Sequence, residues 1–305
     1  MLVFAAVDIG TNSVILLVFD HKIGGIEAVI DKPFGVKLGE SFYASKSISK
    51  EALVRFESCL KEIKFLLDKH QVKKVKAVAT SAMREASNAE EVHEIAARYG
   101  LRDIEVISGE REAELTLRGV TSAWPQRQVD RVVVDIGGGS TEIVVSQLGQ
   151  VDLRSLPIGV VRLREAGGRK DLLSALEIAQ LKSQIVEELS SQVSCLKVER
   201  PAEMWAVGGT SVALAMLSLN SEFNANKIEG TVLSTDYVDS KTQELFALTV
   251  EQRKFLPGID LARLETLPYG AVILRACMEA LKKDFVSVST RGIRYGLALE
   301  IISEK

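Results

Sequence analysis

One short pattern occurs twice in this chain and limits what it can fold into more than any other feature. From Val7 the sequence reads VDIGTNSVILLVFD, and from Val134 it reads VDIGGGSTEIVVSQ. Both copies give Asp-Ile-Gly-x-x-Ser followed by a second apolar run. Each follows a strand-like stretch, Val3 to Val7 in one and Val132 to Val134 in the other. A strand, a glycine turn and a second strand make a β-hairpin whose turn carries Asp and small hydroxyl residues. Two such hairpins near the starts of two roughly equal halves point to a duplicated unit.

The remaining pattern supplies α/β layers. Ser49 can cap a helix to about Gln71, with Leu53, Phe56, Leu60, Ile63 and Leu67 on one face. Val75 to Ala79 reads as a buried strand, and Ser87 to Glu90 as a capping box opening a helix to about Tyr99. Ile104 to Ile107 and Gly109 to Gly119 follow as strand and helix. The polar, proline-bearing stretch Trp124 to Gln128 marks a boundary, giving domains 1–124 and 125–289, with a closing helix over about 290–305 that can pack back on the first. In the second half a long helix runs from about Asp171 to Cys195. The strand Met204 to Val207 then enters Gly208-Gly209-Thr210 and a helix of small apolar residues. Helices near 240–248, 251–255 and 269–281, a strand at 286–289 and a final helix from Arg291 complete the alternation expected of central sheets covered by helices.

Composition excludes several classes. The 305 residues are 47% hydrophobic and 26% charged, enough for a sizeable core. Lys and Arg total 38 against 41 Asp and Glu, a net charge of −3, so there is no basic excess of the kind nucleic-acid binding needs. Apolar runs such as Val14 to Phe19 are strand-sized and far short of the roughly 20 residues of a membrane span. The first residues lack a basic n-region and pass straight into a strand, so no signal peptide is expected. Three scattered cysteines, Cys59, Cys195 and Cys277, fit a reducing cytoplasm and offer no metal knuckle. His21, His70 and His93 have no ligand spacing, and the lysines at 61, 64, 69, 73 and 74 form a basic helix end that is either a solvated face or a guide for a polyanion.

The turns carry the chemistry. Gly137, Gly138 and Gly139 lack Cβ atoms, so the backbone can approach a ligand, and successive N–H groups in such a turn form a concave anion site. Thr11, Asn12, Ser13, Ser140 and Thr141 add side-chain donors, and Gly208, Gly209 and Thr210 make a third turn of the same kind. Asp8 and Asp135 end the two first strands, where they suit Mg²⁺ beside phosphates, and Glu142 can share that ion. The alternative is an ordinary glycine-rich hairpin capped by Asp.

Taken together, the paired Asp-Ile-Gly turns and the Gly-Gly-Thr turn resemble the actin, sugar-kinase and heat-shock-ATPase architecture: two ribonuclease-H-like domains around a central cleft. More closely, the chain resembles the exopolyphosphatase and guanosine-pentaphosphate phosphohydrolase (Ppx/GppA) family. The matching blocks are VDIGTNSVILLV from Val7, KLGE from Lys37, ATSAMREASNA from Ala79, ISGEREAEL from Ile107, VVVDIGGGSTEIVV from Val132, SLPIGVVRLRE from Ser155, AVGGTSVALA from Ala206 and VSTRGIRYGL from Val288. They run in order over nearly the whole chain, in the short two-domain form.

The resemblance implies Mg²⁺-assisted hydrolysis of the terminal phosphate of polyphosphate or guanosine pentaphosphate, and a homodimer. It places the catalytic glutamate at Glu112 and an arginine facing the cleft at Arg84. Gly159, Arg162 and the Lys37–Gly39 loop become further cleft residues. On residues alone, Glu110, Glu112 and Glu114 read equally as carboxylates complementing a helix dipole, and Arg84 as a solvated arginine. Thr290 and Tyr295 depart from the family by standing where acids are usual, and the segment from Lys254 matches loosely a family version that contains arginine. Two other functions share the motifs: a kinase or ATPase of the same superfold, and a non-catalytic sensor of polyphosphate or guanosine tetraphosphate.

Overall fold

A computed structural model describes residues 2–22, 25–124, 129–193, 196 and 202–304. Residues 125–128 of the expected boundary, and Cys195, lie outside the described residues. The chain divides into two compact units, Met1–Ala123 with Arg291–Lys305, and Trp124–Thr290.

The first unit runs β1 (Val3–Ile9), β2 (Val14–Lys22), β3 (Gly25–Phe34), α1 (Phe42–Ser45), α2 (Lys50–Lys69), β4 (Lys74–Ala79), α3 (Ser81–Glu85), α4 (Ala89–Arg98), β5 (Ile104–Val106) and α5 (Gly109–Ala123). The second contains β6 (Arg131–Ile136), β7 (Thr141–Gln147), β8 (Gln150–Leu156), α6 (Val160–Ala166), α7 (Ala175–Val193), β9 (Glu203–Val207), α8 (Gly209–Leu219), α9 (Ala225–Ile228), β10 (Val232–Ser234), α10 (Thr235–Ala247), α11 (Val250–Arg253), a 3₁₀ turn (Leu261–Arg263), α12 (Leu267–Ala280) and β11 (Phe285–Val288). The chain then returns to the first unit as α13 (Ile293–Ser303).

The sheets carry the duplication. The first has order β3-β2-β1-β4-β5, and the second has order β10-β11-β9-β6-β7-β8. In each, a three-strand antiparallel meander is extended by parallel strands on the side of its first strand. Read outward from β3 and from β8, the two orders coincide over five strands, and β10 is an antiparallel addition to the second. This is the ribonuclease-H-like arrangement, twice. The third meander strands, β3 and β8, are elements that the hairpin pattern does not show. β3 is mostly exposed and β8 is exposed over its first half, so neither carries a strong apolar alternation.

Period-2 alternation covers both faces of the first sheet. Val3, Ala5, Val7 and Ile9 join the core beneath α2, while Phe4 and Ala6 join the core with Leu115 of α5 and Ile293, Leu297 and Ala298 of α13. Asp8 has the parity of Phe4 and Ala6, so it stands on the face covered by α5 and α13. α2 buries Ala52, Leu53, Phe56, Cys59, Leu60 and Ile63, a single stripe, and Ser49 caps it by accepting from the Ala52 N–H at 3.2 Å.

The capping box expected at Ser87–Glu90 is corrected. The Ser87 hydroxyl donates to the Lys46 carbonyl at 2.9 Å instead of capping, and Asn88, which precedes α4, makes no side-chain cap either. Its amide instead pairs with the Ile48 backbone, accepting from the N–H at 2.8 Å and donating to the carbonyl at 3.0 Å. Two bonds to an adjacent segment outcompete one cap.

α13 and α5 touch backbone to backbone. A Cβ on Gly119 would collide with the Gly292 carbonyl, and one on Gly296 with the Leu115 carbonyl. α13 is further tied by Arg294, which grips Asp31 of β3 bidentately at 2.7 and 2.8 Å, and Tyr295 donates to the same carboxylate at 3.2 Å. Thr290 donates its N–H and hydroxyl to Glu229 at 2.7 and 2.8 Å. At both positions where the resemblance expects an acid, the residue present binds an acid supplied from elsewhere in its own unit. Gly296→Ala is expected to cost about 1–3 kcal/mol by overpacking α13 against α5, as measured by urea unfolding; unchanged stability would show that the contact relaxes freely.

Candidate functional site

Each unit ends its first strand at a turn that uses up its own oxygens. In the first, the Gly10 N–H donates to the Ser13 carbonyl at 2.9 Å, and the N–H groups of Lys37 and Gly39 take the Asn12 and Thr11 carbonyls at 2.8 Å each. In the second, the Gly137 N–H donates to the Ser140 carbonyl at 2.9 Å. The Val160 and Val161 N–H groups at the start of α6 take the Gly137 and Gly138 carbonyls at 3.1 and 2.9 Å. Arg162 Nε takes the Gly139 carbonyl at 3.0 Å. Gly159 permits this, since a Cβ there would collide with the Gly138 carbonyl. Lys37 supports the first turn from a left-handed conformation, φ 52°.

With the carbonyls engaged, the N–H groups are left pointing elsewhere. Among the described residues no acceptor takes the N–H of Thr11, Asn12, Gly138 or Gly139. The Asn12 side chain is buried, yet among the described residues its Nδ2 has no hydrogen-bond partner. Buried donors are normally satisfied, so a row of them marks a place for an acceptor from outside the chain.

Register locates the carboxylates. Asp135 and Glu142 are cross-strand partners, and Ser155 stands opposite Glu142, donating to it at 2.7 Å. Asp135 and Glu142 therefore lie side by side on one face of the second sheet. In the first unit Asp8 faces Ile15 and Val78 in register, so it has no such carboxylate neighbour. No three His, Cys, Asp or Glu side chains gather as a ligand set among the described residues. The expected metal residues thus form a pair, Asp135 with Glu142, in the second unit, and a lone Asp8 in the first.

Pairing also lines up the third turn. Asp135 is in register with Val207, so Gly208 follows directly beside it, at φ 88°. A Cβ on Gly208 would come within 3.1 Å of Asp135 Oδ1 and 2.9 Å of the Ile136 carbonyl. The same register in the first unit pairs Asp8 with Val78, which makes Ala79-Thr80-Ser81 the counterpart of Gly208-Gly209-Thr210. Thr80 and Ser81 are buried, and Thr11 Oγ1 accepts from the Ala82 N–H at 3.2 Å. This fourth turn has no glycine and so is not visible as a motif. It opens α3, which carries Arg84; that residue is thus on a short helix rather than on an open turn.

The three glutamates of α5 separate cleanly. Glu110 and Glu114, one helical turn apart, are exposed, while Glu112 between them points inward. Glu110 sits low in pKa because its own backbone N–H and Ser108 hold the carboxylate. Glu114 pairs with Arg111 at 3.2 Å. Glu112, 5% exposed, receives Arg84 Nη1 at 2.9 Å, and the same nitrogen donates to the Ile107 carbonyl at 2.8 Å. Glu110 is thus the dipole carboxylate and Glu112 the ion-paired one.

A further cation reaches the third turn. A Cβ on Gly209 would fall onto the Arg263 guanidinium, and one on Gly270 would collide with the Thr210 side chain. Burial pulls the Arg263 pKa below that of an ordinary arginine, with Asp260 opposing. Arg263 and Gly270 belong to the segment that matches the family only loosely, and nothing local in the sequence ties either to Gly209. Neither described cysteine is a nucleophile, since burial pushes the thiols of Cys59 and Cys277 up to about 12.

A profile of the Ppx/GppA phosphatase family matches residues 17–305. The chain belongs to the Ppx/GppA phosphatase family. Membership makes it a phosphate-releasing hydrolase. Exopolyphosphatase 2 of Mycobacterium tuberculosis is 30% identical over 312 residues, covering 97% of this chain and 98% of its own. The guanosine-5'-triphosphate,3'-diphosphate pyrophosphatase of Vibrio vulnificus is 29% identical, covering 99% of this chain and 59% of its own. Among solved structures, an exopolyphosphatase from Cytophaga hutchinsonii superposes with a TM-score of 0.90 at 25% identity, over 99% of this chain and 98% of that one. A Ppx/GppA family member from Aquifex aeolicus gives 0.79 at 29% identity, over 100% and 99%. Among the described residues of this Ppx/GppA chain, no helix is long and apolar enough to cross a membrane.

In this Ppx/GppA chain, Gly209→Ala is expected to displace the flexible Arg263 side chain while leaving the melting temperature within a few degrees of wild type. A crystal structure of the variant reads this directly, and an unmoved guanidinium would refute the packing.

Proposed function

We propose that the chain is a Mg²⁺-dependent phosphatase releasing the terminal phosphate of inorganic polyphosphate or of guanosine pentaphosphate by attack of water. The observation that carries this is the pair of matching turns whose carbonyls are engaged while, among the described residues, the N–H groups of Thr11, Asn12, Gly138 and Gly139 are not. Such turns bind a run of anionic oxygens through fixed dipoles, with no reorganisation needed at the moment of reaction. Polyphosphate and the guanosine pentaphosphate triphosphate arm both present that run.

In this reading Thr11, Asn12 and Ser13, with Gly137 to Thr141, hold phosphate oxygens, and Gly208 to Thr210 hold more of them beneath Arg263. Glu112 orients the attacking water and accepts its proton. A carboxylate has two oxygens and about four lone-pair sites, so one ion pair with Arg84 still leaves capacity for this work. Arg84 orients Glu112 through their ion pair and offsets charge that grows on the transferred phosphoryl group.

The donor set fits a hard divalent cation. Two side-by-side carboxylates, Asp135 and Glu142, are what Mg²⁺ takes from a protein when water and substrate phosphates complete its shell. Those two would hold it, with Asp8 the corresponding carboxylate of the first unit. When bound, it would supply neutralisation of phosphate charge.

The test is side-by-side phosphate release from polyphosphates of several lengths, guanosine pentaphosphate and ATP, with Mg²⁺. Fastest turnover is expected on one of the first two. Glu112→Gln should lower kcat by about a hundred- to ten-thousand-fold with an unchanged circular-dichroism spectrum. Preferred turnover of ATP would favour a kinase or ATPase, and tight binding without turnover a sensor.

A further inference from the structure

Arg253, the last residue of α11, is wholly buried. Its guanidinium spends itself on three backbone carbonyls: Nε on Leu245 at 2.9 Å, Nη1 on Leu264 at 2.8 Å and Nη2 on Asp171 at 2.5 Å. Among the described residues no carboxylate forms an ion pair with it. Desolvation pulls its pKa below that of an ordinary arginine, with Asp171 opposing. A buried cation without a counter-ion is a costly way to fill space, and an apolar side chain of that size would do so more favourably. What the arginine adds is direction, since a rigid fork fixes several acceptors at once.

Those acceptors come from three segments. Leu245 lies in α10, Asp171 precedes α7, and Leu264 directly follows Arg263. Within the stretch from Lys254 to Thr266 the side chains of Leu264 and Thr266 are also buried. The stretch contains one 3₁₀ turn, and its large apolar side chains Phe255 and Leu261 are 88% and 67% exposed. The Leu264 carbonyl, fixed by Arg253, is an anchor next to the residue whose guanidinium lies on Gly209. Tyr269 strengthens the same corner by donating to the Lys170 carbonyl at 2.6 Å, beside Asp171.

We propose that Arg253 is a positioning residue for substrate: by pinning the backbone at Leu264 it holds Arg263 on the Gly208–Thr210 turn and so sets that turn's affinity for phosphate. The proposal rests on the reading that this turn binds phosphate. Arg253 touches no substrate and acts through Arg263. Its loss should therefore appear in KM, with kcat nearly unchanged, because the water-orienting residue belongs to the other unit.

The experiment is steady-state phosphate release from polyphosphate by wild type, Arg253→Met, Arg253→Lys, Arg263→Met and the double variant Arg253→Met/Arg263→Met. Arg253→Met is expected to raise KM about tenfold, the scale of one charge-assisted contact, and to change kcat less than about twofold. Millimolar guanidinium should restore its KM. The double variant should match Arg263→Met alone, since both act on one contact. Should Arg253→Met fail to fold, Arg253→Lys, which keeps the charge but not the fork, is expected to raise KM about threefold, and that rise should vanish when Arg263→Met is also present. A KM equal to wild type in whichever variant folds, or effects that multiply in the double variant, overturns the proposal. Wild type that neither hydrolyses polyphosphate nor binds tripolyphosphate by calorimetry overturns the phosphate reading itself, and this proposal with it.

Discussion

The site depends on how two hairpin turns dispose of their carbonyls. A four-residue turn has as many oxygens as N–H groups, and left to itself it presents both to a ligand. Here the Gly137, Gly138 and Gly139 oxygens are taken by Val160, Val161 and Arg162, and the Thr11 and Asn12 oxygens by Gly39 and Lys37. What remains is a surface of N–H dipoles of one sign. The glycines then have separate tasks. Gly159 lets α6 come close enough to the carbonyl side, and Gly208 lets the next strand end beside Asp135 at positive φ. An extra carbon at either place would push apart the groups that make the turn electropositive.

The same solution is reached with different parts in the two units, which is what a duplicated fold permits. In the second unit the carbonyl side is covered by a helix start and an arginine. In the first it is covered by the Lys37–Gly39 loop, with one residue in a left-handed conformation. The metal-suited pair Asp135 and Glu142 has Asp8 and Ile15 as its counterparts in register. The third turn, Gly208-Gly209-Thr210 with Arg263 over it, has Ala79-Thr80-Ser81, leading to Arg84, as its counterpart. The units thus differ in what they carry: a carboxylate pair and glycine-rich turns in one, the ion-paired Glu112 and Arg84 in the other.

How far this was legible in the sequence follows from the range of each interaction. The hairpins, the sheet-and-helix alternation and the Asp-Ile-Gly turns are local, and periodicity with turn chemistry reveals them. β3 and β8 escaped because exposed edge-side strands carry no apolar alternation. The choice among Glu110, Glu112 and Glu114 was open locally, since all three suit a helix start; only the approach of Arg84, 28 residues earlier in the chain, distinguishes Glu112. The Ser87 capping box failed for a similar reason, the Ser87 hydroxyl being turned to the Lys46 carbonyl 41 residues away. Arg263 is the extreme case, because its significance lies entirely in the absence of a side chain at Gly209, and a missing atom leaves no mark in a pattern search.

Buried polar groups separate the rigid part of this molecule from the adjustable part. Arg294 is gripped by Asp31 through two charge-assisted bonds, and Tyr295, whose hydroxyl burial pushes up to about 12, adds a third. That arrangement fixes α13, and the glycine contacts between α13 and α5 carry the constraint to the helix bearing Glu112. On the proposed reading of Glu112 as the group that orients water, such stiffness would hold its carboxylate at a fixed angle. The Arg263 segment is built on the opposite principle. Its Leu264 carbonyl is held by buried Arg253, while Phe255 and Leu261 leave an exposed apolar exterior. Hydrolytic chemistry on one phosphate is common to many substrates, whereas the shape of what precedes that phosphate is not. If Glu112 carries the reaction and Arg263 holds the remainder of the substrate, as proposed, a stiff element serves the first task and a more exposed one the second.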